Sequence, residues 1–362
     1  MERFPLKIMT ILGTRPEIIR LCLILKRLDE LCEHVLVHTG QNYAECLNDI
    51  FFKQLGVRQP NYVIESKSET FGGQLAIILR EVERLLLTVR PDRVLILGDT
   101  NTDLSSIVVE RMGIPVYHME AGNRCFDPKV PEEKNRRIID SISTYNMPYT
   151  PGSRENLLHD GADRRRVFVT GNPIWEVITH FRRQIEQSDI LDRLGVTPEK
   201  FVLVTAHRTE NVDVERRLRN IIESLEAISN DYGLDVVLSC HPRTRSKLEK
   251  FGVMVRNPRV KVCEPFGFLD FVKLETTARC VLTDSGTVQE ECCILRVPAV
   301  IIRDSTERPE TIECGSGIVS GLETADILRC FAVMMQSPRG WPYPIGYTDL
   351  NVSDKVIQFL LR

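Results

Sequence analysis

The sequence predicts an α/β protein with two doubly wound, parallel-sheet domains. Short runs of Val, Ile and Leu mostly do not alternate with polar residues, as expected for parallel strands that helices cover on both faces. Longer amphipathic segments separate these runs, and the rhythm is interrupted once, between residues 171 and 200. Repeated alternation of strand and helix indicates parallel sheets, and the single interruption indicates two similar halves.

The predicted elements follow this alternation along the chain. The predicted strands are Leu6–Leu12, Val35–Thr39, Val94–Leu97, Val116–Met119, Val167–Thr170, Phe201–Ala206, Val236–Cys240, Val260–Cys263, Cys280–Thr283 and Ala299–Arg303. The clearest helical patterns are Ile18–Leu31, Thr70–Val89, Asp213–Tyr232, Thr287–Leu295 and Val352–Leu361. A further helix is expected from Pro131, because proline suits the first turn of a helix.

The interruption predicts the domain boundary. Gly171-Asn172-Pro173 ends a strand, a helix to about Leu194 follows, and a new strand starts at Phe201. We therefore predict an N-terminal domain over residues 1–171 and a C-terminal domain over 172–344, with the final segment 345–362 packing back on the first domain. Two facing domains of this type would place a ligand cleft between them.

Composition excludes several classes of function. The net charge of −3 among 362 residues gives no general surface for nucleic acid. The N-terminus lacks the apolar core of a signal peptide, and no apolar run approaches the ~20 residues of a membrane span. None of the eleven cysteines has C-x-x-C spacing. We expect a cytoplasmic protein with reduced thiols and no membrane partner.

Three acidic residues follow strands or open a helix within one stretch of the first half. Asp99 comes after the run Val94–Leu97, Glu120 after Val116–Met119, and Glu132 opens the helix at Pro131. A carboxylate at the carboxyl end of a buried strand packs poorly, but that edge of an open α/β sheet binds ligands. The pattern leaves proton transfer, metal binding and recognition of sugar hydroxyls open.

Two strand-to-helix turns are candidate anion sites. Gly13–Glu17 (GTRPE) follows the first strand, where free N–H groups, Arg15 and Arg20 could bind an anion, although surface arginines at an ordinary turn would look the same. Asp284–Glu291 (DSGTVQEE) repeats the design, with Ser285 and Gly286 at the turn. Neither turn is a Walker loop or a G-x-G-x-x-G fingerprint, which argues against ATP and NAD.

Further candidates lie in the second half. Glu291 could bind both hydroxyls of a ribose or be a solvated helix residue. His207 and His241 both follow strands, and no third ligand at zinc spacing accompanies them. Arg308 is a candidate fork for a phosphate or a carboxylate. Phe266, Phe268 and Phe271 could stack on a base or pack in the core.

Seven motifs together resemble the non-hydrolysing UDP-N-acetylglucosamine 2-epimerase family. They are Gly13–Glu17, Gly98–Thr100, Glu120–Gly122, Pro131–Arg136, Ala206–Arg208, Asp284–Gly286 and Glu307–Glu310. The resemblance implies a GT-B fold of two Rossmann-like domains, usually a homodimer, acting on a UDP-sugar without metal or redox cofactor.

The resemblance also implies roles for the candidate residues. Asp99, Glu120 and Glu132 would handle protons, and His207 would orient or protonate the diphosphate. Phe271 would stack on uracil, and Glu291 would bind the ribose. The candidates for the remaining substrate contacts, mainly to the diphosphate, are Arg15, Arg20, Arg136, His241, Ser285, Gly286 and Arg308.

A narrower resemblance concerns the sugar. Gly13–Leu21, His38–Tyr43 and His118–Asp127 look like the branch that makes UDP-N-acetyl-L-fucosamine, by inverting C2 of a UDP-2-acetamido-2,6-dideoxy-L-hexose of the talo series for capsule or O-antigen synthesis. Compared with the commoner glucosamine branch, Arg20 replaces Lys, Thr287 replaces Gly, and the loop from Glu120 to Pro131 is about two residues shorter. Asn42-Tyr43 and Thr209-Glu210 alter segments that bind an activating second substrate molecule in many bacterial relatives.

The resemblance therefore implies a C2 epimerase that acts by anti elimination of UDP to a 2-acetamidoglycal and re-addition. The alternatives are a UDP-N-acetylglucosamine 2-epimerase, a GT-B glycosyltransferase and a non-catalytic sugar-nucleotide sensor.

Overall fold

Two compact units make up the computed structural model, which describes residues 6–41 and 45–362, without the side chains of 45–49. The units are Met1–Thr179 with Ile345–Arg362, and His180–Pro344. Each holds a six-stranded parallel sheet flanked by helices. The predicted fold class is thereby confirmed. Asn42 and Tyr43, which contributed to the narrower resemblance, lie outside the described residues.

The first sheet has the strand order β3-β2-β1-β4-β5-β6. Its strands are β1 (Lys7–Leu12), β2 (Glu33–His38), β3 (Tyr62–Val63), β4 (Arg93–Leu97), β5 (Val116–Met119) and β6 (Tyr145–Met147). The helices α1 to α7 are Arg15–Leu31, Glu45–Leu55, Phe71–Val89, Ser106–Arg111, Pro131–Ile142, Pro151–His159 and Ile174–His180.

The second sheet has the order β12-β11-β10-β7-β8-β9. Its strands are β7 (Phe201–Thr205), β8 (Asp235–Ser239), β9 (Val260–Cys263), β10 (Cys280–Thr283), β11 (Ala299–Ile301) and β12 (Gly317–Val319). The helices α8 to α16 are Arg182–Glu186, Ile190–Leu194, Thr209–Val212, Glu215–Tyr232, Pro242–Lys250, Phe268–Thr277, Gly286–Leu295, Pro309–Glu313 and Thr324–Gln336.

Both sheets share one topology. Numbered within its own unit, each runs 3-2-1-4-5-6, the doubly wound order of Rossmann folds. In this order the chain reverses direction of winding between the first and fourth strands, and the crevice at their carboxyl ends is where ligands bind. The loops after β1 and β4, and those after β7 and β10, therefore lie at the two switch points.

The chain ends in a last helix, α17 (Val352–Leu361), which belongs to the first unit. The ring of Phe359 stacks on Phe168 with centroids 4.7 Å apart and meets Tyr117 and Tyr145 edge-on. Arg93 of β4 donates to the carbonyl oxygens of Leu360 and Arg362. Aromatic packing and these charge-assisted bonds fix the helix to the sheet.

Two predicted elements differ from the structure, and three short strands were not predicted. The predicted strand Val167–Thr170 is wrong: Val167 forms only a single bridge, to Asn146 of β6. The edge strands β3, β6 and β12 were not predicted, because a strand of two or three residues is too short to show a hydrophobic periodicity. The predicted long helix before Leu194 is three short helices, α7, α8 and α9. Within the described part of the chain, no helix combines the length and apolar character that crossing a membrane requires.

Candidate active site

The loop after β1 is closed by a buried carboxylate that the sequence did not single out. Glu17 accepts hydrogen bonds from the backbone N–H of Gly13 (2.5 Å) and Thr14 (3.2 Å) and from the Thr14 hydroxyl (2.9 Å). Burial raises the pKa of Glu17 to about 7, against the opposing effect of these bonds. The amides of residues 13 and 14, which precede α1, are therefore already occupied.

Gly13 is required at this turn for space. A Cβ there would lie 2.2 Å from the hydroxyl oxygen of Thr102 and 2.3 Å from that of Thr39. These two hydroxyl groups are hydrogen-bonded to each other at 2.7 Å. The adjacent Arg15 is half-buried with its guanidinium 5.8 Å from the Phe51 ring centroid, and burial lowers its pKa. The first strand, the loop after β4 and the start of α1 are thus packed into one tight junction.

Asp99, directly after β4 and Gly98, is held by Arg136 of α5. The Arg136 Nη2 and Nε atoms lie 2.7 and 3.0 Å from Asp99 Oδ2, and the Arg136 side chain is almost fully buried. The neighbouring Asn135 donates to the Asp99 carbonyl oxygen at 3.0 Å. Arg136 is therefore placed as an orienting partner for Asp99.

Glu120 follows β5, the neighbour of β4 in the sheet, with Leu97 paired to Met119. Its backbone adopts φ 65°, a left-handed conformation uncommon outside glycine that concentrates at functional sites. Arg20 of α1 donates to Glu120 Oε2 at 2.8 Å, and the Arg20 side chain is 1% exposed. Asp99 and Glu120 are thus carboxylates at adjacent strand ends, each bound to a buried arginine.

Glu132 lies in the first turn of α5, one turn before Arg136. Its neighbour Glu133, which sequence reasoning missed, accepts from the backbone N–H of Cys125 (3.0 Å), from Arg136 (3.1 Å) and from Arg137 (3.1 Å). Glu133 therefore ties the loop between Glu120 and Pro131 to the helix that carries Glu132.

The same loop is fixed from its other side by Asp140. Its carboxylate accepts from the backbone N–H of Gly122 (3.2 Å) and from Arg124 (2.7 Å). His118, fully buried at the end of β5, lies 3.1 Å from Asp140 and 2.7 Å from the Gly98 carbonyl oxygen. The loop after Glu120 is thus held by charged contacts, mostly buried.

In the second unit, Asp284 performs the task that Glu17 performs in the first. It is fully buried after β10 and accepts from the backbone N–H of His207 and of Arg208 at 2.9 Å each, and from Asn211 at 3.1 Å. The His207 ring remains 42% exposed, with Nδ1 3.3 Å from Asp284. Asp284 therefore fixes the loop after β7 and orients His207 toward solvent. Its motif was recognised, but this role was not.

His241 caps the N-terminus of α12, accepting from the backbone N–H of Arg243 at Nδ1 (3.2 Å). Its ring centroid lies 5.9 Å from that of His207. The two histidines predicted at strand ends are therefore neighbours, with His241 held by its cap.

Ser285 and Gly286 open α14, as predicted. A Cβ at Gly286 would lie 2.4 Å from a Glu307 carboxylate oxygen, so only glycine fits beside that side chain. Arg308 is buried and ion-paired with Glu290 of α14, and Arg303 and Arg208 contact Glu307 at 2.7 and 3.4 Å. These contacts of Arg308 are to carboxylates, one of the two kinds of partner that the sequence left open for it.

The arginines of this network, Arg208, Arg303 and Arg308, are paired with the carboxylates of Glu210, Glu290 and Glu307. The N-terminus of α14 lies beside the network, because a Cβ at Gly286 would contact Glu307. The amides and the dipole of that helix end favour an anion.

The predicted base-stacking surface divides in two. Phe268 is core, packing edge-on against Phe181, whereas Phe266 and Phe271 are half-buried. Glu291 is not the solvated residue of the alternative interpretation, since it is 7% exposed. Glu275 of α13, fully buried, faces it, and burial together with the Glu291 charge raises the pKa of Glu275 well above its usual value.

Neither Cys125 nor a metal-ligand cluster adds a separate centre in the part of the chain that the structure describes. Cys125 is half-buried with a thiol pKa raised chiefly by burial, which is unfavourable for a nucleophile. Among the side chains that the structure describes, no three His, Cys, Asp or Glu residues are arranged to hold a metal ion.

Comparisons with known proteins agree with this architecture. Residues 26–361 match the protein family described as UDP-N-acetylglucosamine 2-epimerase. The UDP-N-acetylglucosamine 2-epimerase of Methanocaldococcus jannaschii is 39% identical over 349 residues, covering 94% of this chain and 95% of that protein. A UDP-2,3-diacetamido-2,3-dideoxy-D-glucuronate 2-epimerase of Pseudomonas aeruginosa is 34% identical over 322 residues, covering 87% and 88%.

Solved structures match over both units. The crystal structure of the Methanocaldococcus jannaschii UDP-GlcNAc 2-epimerase in complex with UDP-GlcNAc and UDP matches with a TM-score of 0.93 at 38% identity, covering 98% of this chain and 99% of that one. The UDP-N-acetylglucosamine 2-epimerase of Rickettsia bellii matches with a TM-score of 0.91 at 38% identity, covering 99% and 96%. The fold is therefore the two-domain, GT-B-like Rossmann fold of these enzymes. This chain belongs to the non-hydrolysing UDP-N-acetylglucosamine 2-epimerase family and is an epimerase, an enzyme of the isomerase class.

Proposed function

We propose that this enzyme inverts C2 of a UDP-2-acetamido sugar by eliminating UDP to a 2-acetamidoglycal and adding it back. The observation that carries the proposal is the pair Asp99 and Glu120, two carboxylates at adjacent strand ends, each bound to a buried arginine. Such a pair suits a reaction that removes a proton from one face of a carbon and returns it to the other.

The chemistry of the substrate requires the elimination. The hydrogen at C2 is not acidic, because C2 carries an acetamido group and has no adjacent carbonyl. A base can therefore remove it only as the C1–O bond to UDP breaks, with the bonding electrons leaving on the diphosphate. Re-addition of UDP at C1 and of a proton on the opposite face of C2 gives the epimer.

The roles that we propose follow the two units. Asp99 and Glu120 handle the C2 proton, with Glu132 on α5 as the third carboxylate of the set. Arg15, Arg20 and Arg136 bind substrate or orient these groups. In the second unit Ser285, Gly286 and the arginine network around Arg308 stabilise the negative charge that grows on the diphosphate. His207 orients or protonates the diphosphate, and His241 assists in binding it. Phe271 stacks on uracil, and Glu291 binds the ribose.

We infer that the substrate is the UDP-2-acetamido-2,6-dideoxy-L-talo sugar, UDP-N-acetyl-L-pneumosamine, and the product UDP-N-acetyl-L-fucosamine. The support is the sequence of the first unit, Gly13–Leu21 and His118–Asp127, together with the short loop after Glu120. Glu133 and Asp140 hold this loop rigidly, so its shape can discriminate between sugars.

UDP-N-acetylglucosamine is the second candidate substrate, favoured by the name of the Methanocaldococcus jannaschii relative. The Pseudomonas aeruginosa relative, similar to a comparable degree, carries the name of a different sugar. Sequence identity at the level of these two relatives therefore does not select between the two candidate substrates.

A substrate assay in D₂O tests both parts of the proposal. We expect the 6-deoxy-L-talo substrate to be epimerised with deuterium at C2, and UDP-N-acetylglucosamine to react much more slowly. A product without deuterium would exclude the elimination. Faster turnover of UDP-N-acetylglucosamine would reverse the substrate assignment. The homodimer and the capsule or O-antigen setting remain part of this proposal, and light scattering tests the first.

Variants of the two carboxylates test the assignment of roles. Asp99→Asn and Glu120→Gln should lower turnover by ~10²–10⁴-fold, the usual contribution of a positioned acid or base. UDP affinity, measured by calorimetry, should remain close to that of the unsubstituted enzyme. The exposed Glu69→Gln is the matched control. Full activity in either active-site variant would refute the roles.

A further inference from the structure

Two thiols of the second unit contact each other and have no part in the chemistry proposed above. The Sγ atoms of Cys293, in the last turn of α14, and of Cys314, directly after α15, lie 3.6 Å apart. The two residues are 21 positions apart in the sequence, so packing of the two helices makes the contact. Closing this distance to the ~2.05 Å of a disulfide bond needs a movement of about 1.5 Å.

The surroundings of the two sulfurs differ. Cys293 is fully buried, whereas Cys314 is half-buried, and its Sγ atom also lies 3.3 Å from the Ser316 hydroxyl oxygen. Burial disfavours a thiolate at Cys293, so the proton of the pair stays on Cys293, whose thiol donates to the Cys314 sulfur. Cys314 is therefore the sulfur that an oxidant from solution meets first, with the Cys293 thiol directly behind it.

The backbone around Cys314 permits the movement that a disulfide requires. Helix α15 has only five residues, and Gly315 follows Cys314 with φ 86° and with no described atom within 4 Å of its Cβ position. Cys293 lies instead in a ten-residue helix, and its carbonyl oxygen accepts from the Trp341 indole N–H at 3.0 Å. Closure of the gap would therefore move Cys314 toward α14.

We propose that Cys293 and Cys314 form a reversible redox pair, which a peroxide converts to a disulfide that ties α14 to α15. The Cys314 thiolate first attacks a peroxide oxygen, and the O–O bond breaks. Cys314 becomes a sulfenic acid, and the oxyanion that leaves takes a proton from water. The Cys293 sulfur then attacks the Cys314 sulfur, and the hydroxyl leaves with the Cys293 proton as water. Two electrons have passed from the thiols to the peroxide, and an external dithiol returns them by exchange.

The electrostatics of the pair agree with this order of events. The hydrogen bond from Cys293 lowers the pKa of the Cys314 thiol to about 6, with Ser316 contributing, against the opposing effect of burial. The hydrogen bond to Cys314, followed by burial, raises the pKa of Cys293. Because the thiolate is the reactive form of cysteine, Cys314 reacts first.

The disulfide would act on the proposed diphosphate site, and this consequence rests on the proposed function. Helix α14 opens at Ser285 and Gly286, and Arg308 at the start of α15 is ion-paired with Glu290 of α14. Pulling α15 against α14 would displace this ion pair. Because misplacing a group by about 1 Å costs up to ~10²-fold in rate, we expect kcat/KM for the UDP-sugar to fall by ~10-fold or more on oxidation.

Peptide mapping of the oxidised full chain tests the pair. The unsubstituted enzyme is treated with hydrogen peroxide, its remaining thiols are alkylated in denaturant, and it is digested with trypsin without reductant. We expect two of the eleven thiols to escape alkylation, and fragment spectra to show peptides 280–296 and 304–329 joined through Cys293 and Cys314. Dithiothreitol should separate them. Full alkylation, a sulfinic acid at Cys314 or a bridge to another cysteine would overturn the proposal.

Variants connect the bridge to activity. Cys314→Ser should form no bridge and keep its kcat/KM after peroxide treatment. Cys32→Ser, at a half-buried cysteine of the first unit, is the matched control and should lose activity as the unsubstituted enzyme does, with recovery in dithiothreitol. Full activity of the bridged enzyme, or an equal fall in Cys314→Ser, would refute the effect on the site. Lack of any epimerase activity in the reduced enzyme would contradict the proposed function and leave the peptide map standing.

Discussion

Replacing Gly13 by alanine should destabilise the first unit through a collision that the structure specifies. The added methyl would lie 2.2 and 2.3 Å from the hydroxyl oxygens of Thr102 and Thr39. Both threonines are fully buried, and the Thr102 hydroxyl also donates to Gln41 Oε1 at 2.8 Å. Neither hydroxyl can turn away without losing a buried hydrogen bond.

The expected cost combines two terms and one small gain. Overpacking a tight site costs about 1–3 kcal/mol. A buried hydroxyl that loses its partner costs about 1–3 kcal/mol more. Alanine restricts the unfolded chain, which returns about 0.4–1 kcal/mol. The sum spans roughly 1–6 kcal/mol. At its middle, about 3 kcal/mol, the Tm should be lower by roughly 6–12 °C, given the ~2–4 °C per kcal/mol typical of units this large.

Differential scanning calorimetry of the full chain, with chemical denaturation as a second measurement, provides the assay. Gly72→Ala is the matched control, because a Cβ at Gly72 in α3 meets no atom within 4 Å. That variant should be neutral or more stable, by up to about 1 kcal/mol from helix propensity. If Gly13→Ala and Gly72→Ala unfold at the same temperature, the close packing around Gly13 does not contribute to the stability of the first unit.

Three further predictions concern the first unit. Burial lowers the pKa of His118, but the Asp140 carboxylate and the Gly98 carbonyl outweigh it, so the pKa is raised in the folded state. The stability that this shift contributes is full below about pH 6.5 and should be lost as the pH rises through the folded pKa. The free energy of unfolding of His118→Asn, measured by denaturation at a series of pH values, should not show this loss. Glu133→Gln should cost about 1–2 kcal/mol in urea unfolding by weakening charged hydrogen bonds, while exposed Lys134→Gln should not. Arg93→Met should release α17 from the sheet, which would be measured as faster proteolysis at the C-terminus. An unchanged rate of cleavage would show that the two hydrogen bonds from Arg93 do not hold this helix.

Much of the architecture was readable because it depends on local pattern. Buried parallel strands such as Val116–Met119 are apolar without alternation, and the polar residue that ends each one is conspicuous. Asp99, Glu120 and Ser285 became candidate site residues in this way. Strand β6, Tyr145-Asn146-Met147, is short and mixed in polarity, so nothing local distinguishes it from a loop.

The partners of the candidate residues were not readable, because they depend on tertiary position. Glu17, Asp103 and Glu133 look like ordinary solvated acids in the sequence, yet all three are buried. Arg308 was a candidate fork for phosphate or carboxylate, and only the structure shows that it pairs with Glu290 from another helix. A charged residue in a helix is exposed far more often than buried, and only a contact between distant segments reveals the exception.

These hidden partners suggest how a doubly wound sheet carries charged groups at its ligand edge. Glu17 at the first switch point and Asp284 at the second each bind two successive backbone N–H groups, so each loop is closed by a buried carboxylate rather than by apolar packing. Hydrogen bonds to an ionised group are roughly twice as strong as neutral ones, and directional. A loop held in this way resists displacement when charge develops beside it. Loss of either carboxylate should therefore raise the activation free energy of the reaction more than it lowers the free energy of unfolding. The reason is that misplacing a reacting group by about 1 Å costs up to ~10²-fold in rate.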